Sequence, residues 1–412
     1  MRGHVKVLLS AFACEPHRGS EPEVGWKWAL HLAEIGHEVW VLTRSESRPA
    51  IEAELVRLCE KRLHFGYCDL PEPIRWWGKG GRKLSLYVHY ALWQWRAVRV
   101  ARDLHARQGF DRVHHVTFAG VRAPSFMGTL GIPFMFGPVA GGERAPWKLR
   151  CGYGLEGWLL DALRDLANAT VRFNPLMLRT FACATTIYVT SRDTLGLLPR
   201  AHRKKAVIEL AIGSEDEAAD FTADLAERRR SDTTFHVLYV GQFLYLKGMH
   251  LGIPAFAHLV KARPDARLTM IGHGSARTRW QKLAERLGIA AKIDWQPWLR
   301  RAELAKFYAS HQVMLFPSLH DSGGMVVLES LAHGMPVVCL NIGGPGIIVT
   351  NDCGRLVDVA GKPKAEVIAK LGQALIDLTD EDTRLQLASG AQQRSRDFCW
   401  QKKVARIYGG GV

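Results

Sequence analysis

The sequence predicts an α/β protein made of two doubly wound domains in series, and three observations carry that prediction. A chain of 412 residues is too long for one ordinary core and suits two domains of about 200 residues each. Short β-branched apolar runs alternate with longer helical patterns from end to end, which is how parallel βαβ units read. Between the halves lies 213–234, rich in Ala, Asp, Glu and Arg and poor in large apolar residues, the composition of a linker with room for one exposed helix.

In the first half the expected strands are 5–10, 38–43, 112–116, 133–136 and 185–189, and in the second half 236–240, 267–271, 292–295, 313–316 and 336–340. The first begins close to the chain start, MRGHVKVLLSAFAC, whose basic opening and apolar run also fit a signal peptide or a lipoprotein-like cleavage before Cys14. The run is short, however, Phe12 is bulky where a small residue is wanted, and a helical pattern follows at once, so a strand is expected. Nowhere do about eighteen apolar residues follow one another, as a membrane-spanning helix needs. Helical periodicity returns after Lys364, and Phe398, Trp400, Val404 and Ile407 share one side of a last helix. The expected domains are therefore 1–212 and 213–395, followed by a terminal helix over 396–412.

Hydrophobic residues make up 47% and charged residues 23% of the chain, which excludes a disordered or fibrous class. The formal charge of +15 favours a polyanion. No zinc-finger, helix-turn-helix or RNP signature accompanies it, so nucleic acid is set aside. The eight cysteines lack paired or His/Cys ligand spacing and read as free thiols of a reducing cytosol.

Three segments of the second half carry chemistry. In Phe316-Pro-Ser-Leu-His-Asp-Ser-Gly-Gly-Met-Val-Val-Leu-Glu329 a strand ends in a Pro-Ser turn, then come a carboxylate, two glycines and a helix start. Gly323 and Gly324, with Ser322, Met325 and Val326 beside them, are expected to leave backbone N–H groups open to a diphosphate at the positive helix end. Asp321 and Glu329 are placed to flank that ligand; an ordinary turn with a capping Asp and an exposed Glu is the alternative. In Val237-Leu-Tyr-Val-Gly-Gln-Phe-Leu-Tyr-Leu-Lys-Gly248 a strand runs into a loop bearing Gly241, Gln242 and Lys247, where Lys247 either neutralises a departing phosphate or is a solvated loop lysine. Ile271-Gly-His-Gly274 closes another strand with Gly272 and Gly274, a weak signal by itself.

The order VLYVGQFLYLKG, LTMIGHGSAR, VMLFPSLHDSGGMVVLESLAHGMPVV, NIGGPG resembles the C-terminal domain of the group 1 (family four) retaining glycosyltransferases of GT-B architecture. ACEPHRGSEPEVGWKWALHLAEIGHEVWVLT is similar to the same family's glycine loop, first helix and next strand. The resemblance runs from about residue 5 to residue 357, and the Trp400 helix is similar to the family's segment that crosses back to the first domain. It implies two Rossmann-like domains facing a central cleft, the first binding acceptor and the second binding a nucleotide-sugar. It implies that Asp321 and Glu329 stand at the acids of the E-x7-E motif, touching the transferred sugar and the donor ribose, and that Lys247 contacts the diphosphate. Gly19 and Ser20 fall at the loop nearing donor phosphate and acceptor, backbone around Trp298 at the base, and Gly142 and Glu143 on the acceptor side. His114 or His115 resembles the family histidine near the reacting centre; adjacent strand residues point opposite ways, and His115 is taken as the candidate. Asp321 is shorter than the usual Glu, Gln242 replaces a usual arginine, and 343–350 lacks a usual glutamate.

No DxD closes a strand: Glu215-Asp216-Glu217 lies in the linker and Asp380-Glu381-Asp382 in a late helical region. No metal and no cofactor are therefore expected, the nucleotide-sugar being a co-substrate. Between 75 and 107, Trp76, Trp77, Trp93 and Trp95 mix with Arg82, Lys83, Arg96 and Arg99, a composition suited to an anionic membrane surface or to a core helix with a solvated side. The expectation is a metal-independent hexosyltransferase, cytoplasmic and peripheral at the inner membrane face. It would use a UDP- or GDP-sugar on a saccharide or lipid-linked acceptor in surface polysaccharide or glycolipid synthesis. The alternative is a non-catalytic sugar-nucleotide-binding or scaffold protein of the same fold.

Overall fold

The computed structural model describes residues 4–71, 83–215 and 234–409. Their strands form two all-parallel sheets. The first contains β1 (Lys6–Ala11), β2 (Glu38–Thr43), β3 (Leu63–Tyr67), β4 (Arg112–Thr117), β5 (Phe134–Val139), β6 (Thr186–Val189) and β7 (Ala206–Ile208), in the order β3-β2-β1-β4-β5-β6-β7. The second contains β8 (His236–Val240), β9 (Arg267–Ile271), β10 (Ile293–Gln296), β11 (Val313–Phe316), β12 (Val337–Leu340) and β13 (Gly354–Val357), in the order β10-β9-β8-β11-β12-β13. Chain order reverses between β1 and β4 in one sheet and between β8 and β11 in the other. Open sheets of this kind bind ligands beyond the carboxyl ends of the strands at such a switch.

The central strands read from apolar runs are buried, Val7, Leu8 and Leu9 of β1 and Val237, Leu238 and Tyr239 of β8 all being fully buried, while β10, also read, is an edge strand with one buried residue. Lys6–Ala11 is thus an inner strand of its sheet. Missing from the sequence reading are β3, β7 and β13, all outermost in their sheets. An edge strand buries less, so LHFGY, AVI and GRLV need no long apolar run to form.

Contacts divide the chain into two units, one of Met1–Gly142, Leu166–Ala211 and Trp400–Val412 and the other of Glu143–Asp165 and Ile212–Cys399. The expected continuous 1–212 domain is corrected here, because residues 143–165 fold onto the second unit. There His250 Nε2 lies 2.7 Å from the Leu149 carbonyl, Lys148 Nζ donates to Gly361 O at 3.2 Å, and Arg279 donates to Tyr153 O. Residues 396–399 also belong to the second unit, and the last helix, Trp400–Gly409, to the first. Trp400 packs on Trp28 and stacks on His31, while the buried Lys403 donates to Leu210 O at 2.6 Å and pairs with Glu209 at 3.3 Å. All eight cysteines are free thiols. Most of the expected linker, including Asp216 and Glu217, lies outside the described residues.

Candidate functional site

The second unit brings Lys247 and Asp321 together at its switch point. Gly248 closes the loop after β8 with φ +72°, and a Cβ there would stand 1.8 Å from the Pro317 carbonyl oxygen that follows β11. Only glycine lets the two loops touch, and Leu319 N donates to Leu246 O at 2.9 Å beside it. Lys247 Nζ then reaches Asp321 Oδ2 at 2.6 Å, each side chain 17% exposed. Such a charge-assisted contact is among the stronger hydrogen bonds, and the partial exposure leaves both groups open to a ligand.

The glycine amides expected to be open are not. Asp321 Oδ1 accepts from Gly323 N at 3.1 Å and Gly324 N at 2.7 Å, because a carboxylate just ahead of a helix N-terminus is the nearest acceptor for its first amides. Asp321 is thus both cap and ion-pair partner of Lys247. The helix that follows, Met325–Ala332, still points its positive end into this loop, with Ser322 and Val326 half-buried there. Gly344 N also donates to Asp321 O at 2.9 Å, so the loop after β12 braces the same turn.

Glu329, 15% exposed in its side chain, accepts from the Tyr308 hydroxyl at 2.8 Å and lies 3.4 Å from Arg301 Nε. Burial first, then the neighbouring carboxylate, push the Tyr308 hydroxyl well above its ordinary range, which keeps it a donor. These three residues and Met325 line a cavity of about 540 Å³ whose other walls include Ser214, Ala305 and Leu328, a size and mixture suited to a small ligand. Tyr308 and Arg301 escaped the sequence reading. Their signal was seven-residue spacing in RAELAKFYAS, which places both on one helix face.

Behind the loops stands the segment Glu143–Asp165, also absent from the expected site apart from Glu143. Gly157 lies against the Tyr245 ring, two residues from Lys247. Asp161 is fully buried, 2.9 Å from His320 Nε2 and 3.0 Å from Arg150 Nε, and pairs with Arg164. Burial alone would raise this carboxyl, but His320 and Arg164 outweigh it and hold it below the ordinary value.

The remaining second-unit candidates separate. Gly272 and Gly274 answer to packing, since a Cβ on either would stand 2.0 Å from Gly241 O or 2.4 Å from Phe243 O. Gln242 is exposed and its carbonyl accepts from Tyr239. Trp298 is 64% exposed, and Glu143 is 5% exposed beside Gly343. Arg144 pairs with Asp165 at 3.3 Å. Asp380 caps the helix Glu381–Asp397 by accepting from Thr383 N at 2.9 Å.

In the first unit His17, Ser20 and Phe118 hold φ near +55° and Gly19 +71°, all just beyond the carboxyl ends of β1 and β4. Left-handed backbone at non-glycine residues is costly and gathers at binding sites. His115 is corrected. It is fully buried, with Tyr90 Oη 3.0 Å from Nε2 and Ser10 Oγ 2.9 Å from Nδ1, so its ring has no surface for a sugar. Because the Tyr90 hydroxyl donates to Pro124 O at 3.1 Å, it is an acceptor toward Nε2–H, and burial favours the neutral ring. His114 is equally buried, between Tyr408 Oη at 2.7 Å and Gly137 O at 2.8 Å. Both β4 histidines belong to the core.

Gly142 N donates to Thr194 Oγ1 at 3.3 Å. Of the expected membrane patch, Trp93 is also corrected: it is core, its indole donating to Cys68 O at 2.8 Å. Trp95, Arg96 and Arg99 are exposed on the helix Lys83–Gln108, with Arg99 over the Trp95 ring. Trp76, Trp77 and Arg82 lie outside the described residues, as does the side chain of Lys83.

Residues 220–394 match the family described as "Glycosyl transferases group 1". The D-inositol 3-phosphate glycosyltransferase of Pseudarthrobacter chlorophenolicus is 32% identical over 390 residues, covering 92% of this chain and 86% of that protein. Among solved structures, Anabaena Alr3699/HepE in complex with UDP and glucose superposes with a TM-score of 0.57 at 15% identity, covering 99% of this chain and all of the other. WaaG, a glycosyltransferase involved in lipopolysaccharide biosynthesis, superposes at 0.58 with 16% identity, over 98% of this chain and 100% of its own. The paired parallel sheets are those of the GT-B fold.

Proposed function

The chain belongs to the group 1 glycosyltransferases, and we propose that it moves a hexose from UDP or GDP to a hydroxyl of a membrane-associated saccharide or lipid-linked acceptor, without a metal ion. The observation carrying this reading is the Lys247–Asp321 contact of 2.6 Å, which joins the loops of the two switch-point strands beside a helix N-terminus. When the anomeric carbon leaves the diphosphate, negative charge grows on the phosphate oxygen. A lysine already fixed there stabilises it without reorganising. Lys247 would exchange part of its contact with Asp321 for the diphosphate, freeing a carboxylate oxygen for the sugar's hydroxyls. Glu329, held by Tyr308 and Arg301, would accept hydrogen bonds from the nucleoside in the adjoining cavity.

In the transfer the bond from the anomeric carbon to the phosphate oxygen breaks as the bond to the acceptor oxygen forms. The acceptor proton passes to the departing phosphate. With attack and departure on one face of the sugar, configuration is retained and leaving-group stabilisation matters more than a strong base. Among the described residues no group of three or more His, Cys, Asp or Glu side chains is arranged to hold a metal; Lys247 and the helix N-terminus would supply the positive charge.

A second acceptor reading comes from the relative acting on D-inositol 3-phosphate, a soluble phosphorylated polyol. The test is thermal stability of the purified chain with UDP, GDP, ADP and their sugar conjugates, with EDTA present. Product analysis against inositol phosphate and lipid-linked saccharides follows. A shift for UDP or GDP that survives EDTA is the expected result. A folded chain that responds to no nucleotide, or only with added metal, would overturn the proposal.

A further inference from the structure

The helix Gly154–Ala169 is inverted relative to an ordinary surface helix. As far as Asp165 its polar side faces the unit it packs on: Gly157 against the Tyr245 ring, and Asp161 fully buried among Arg150, Arg164 and His320. Its apolar side faces out, with Leu155 86%, Trp158 50%, Leu159 53% and Leu163 53% exposed, and Trp147 just before the helix 74% exposed. A surface helix normally turns such residues to the core, and an exposed apolar patch with polar surroundings marks a docking surface.

Charge says what covers it. Three of the four acids of residues 143–165 point inward, Glu143 being 5% exposed, Asp161 fully buried, and Asp165 17% exposed in its side chain. Outside stand Arg144, 73% exposed in its side chain, and Lys148, against the single exposed acid Glu156. The whole chain carries +15. Leucines and tryptophans flanked by cations, with acids withdrawn, match the headgroup zone of an anionic bilayer, where indoles sit at the interface and basic groups meet lipid phosphates.

We propose that this face seats the protein on an anionic lipid surface. The proposal extends the membrane part of the proposed function, but vesicle binding is read separately from nucleotide binding. The experiment is flotation of the full chain with vesicles of phosphatidylcholine alone and with phosphatidylglycerol added. Wild-type, Leu155→Asp/Leu159→Asp, Trp158→Ala and Trp95→Asp chains are compared, each checked by its melting temperature and its shift with UDP.

Wild type is expected to float with the anionic vesicles only. The double variant, folded and still shifted by UDP, should lose partitioning by at least about tenfold, since burial of each leucine carries about that factor. Trp158→Ala should lose less, and Trp95→Asp should float like wild type. A chain that floats this way yet responds to no nucleotide would support this face and defeat the donor reading instead. Equal flotation of wild type and double variant would overturn the proposal. So would a wild type that ignores vesicles and forms a dimer abolished by the double variant, because a second copy would then be the cover.

Discussion

The two sheets share a topology and differ in what they place at its switch point. Beyond β8 and β11 stand a lysine and a carboxylate, each 17% exposed and 2.6 Å apart, held by loops that touch through Gly248. At β1 and β4 the side chains Ser10 and His115 are fully buried and bonded to each other, and what faces outward is left-handed backbone at His17, Gly19, Ser20 and Phe118. A doubly wound sheet therefore supplies a position for a ligand but not the means to hold it. In the second unit the proposed means is charge; in the first it would be shaped backbone over a sealed, neutral core.

The sharpest way to test that contrast is to remove the charge. Lys247→Ala is expected to lower turnover by about a hundred- to a thousandfold, the usual effect of deleting one preorganised group that stabilises developing charge, and to abolish the shift with UDP. Because the lysine lies at a partly exposed loop pair, the melting temperature without ligand should move little. Initial rates and thermal scans on the same preparation check both. Turnover within a few-fold of wild type would mean that the ion pair is structural and the contrast mistaken.

The first unit should fail by a different route. Burial pushes the His114 and His115 imidazoles down to about 3, below their ordinary value near 6.5, so both are neutral in the folded chain. Once unfolded they take up protons below about 6.5. The stability they contribute is present above that pH and is lost as pH falls toward about 3. Each histidine steepens the decline by up to about 1.4 kcal/mol per pH unit. His115→Gln keeps hydrogen-bonding capacity without the titration. Urea unfolding of this variant should show a shallower fall between neutral pH and pH 5, with the shift by UDP unchanged. An unaltered slope would place the acid sensitivity elsewhere.

What was legible in the sequence follows the same division. Strands buried on both faces announce themselves as apolar runs, and Lys247 and Asp321 stand in motifs whose order is informative. The edge strand Ala206–Ile208 buries too little to leave a pattern. Adjacent histidines on β4 suggested that one must face out; alternation, however, only separates two faces of a sheet, and here both faces are covered. The segment 143–165 was misassigned because sequence order places it in the first half, while its ion pairs with His320 and its bonds to His250 and Arg279 come from distant positions. Tyr308 and Arg301 carry no motif of their own and gain meaning only once Glu329 is seen between them.

The smallest expected effect tests that last arrangement. Tyr308 donates to Glu329 at 2.8 Å from a buried position. Tyr308→Phe removes one hydroxyl and leaves the ring, while Arg301 still lies 3.4 Å from the carboxylate. A hydrogen bond to a carboxylate is worth about 1.5 kcal/mol or somewhat more, but only the share spent on orienting Glu329 toward a nucleoside reaches affinity. The expected result is therefore a donor affinity weakened by about fivefold, corresponding to about 1 kcal/mol, with turnover at saturating donor nearly unchanged. Titration calorimetry with UDP and saturation kinetics separate the two quantities. A loss in turnover with affinity intact would move Glu329 from the nucleoside to the reacting sugar, and the cavity of about 540 Å³ would then belong to a different part of the donor.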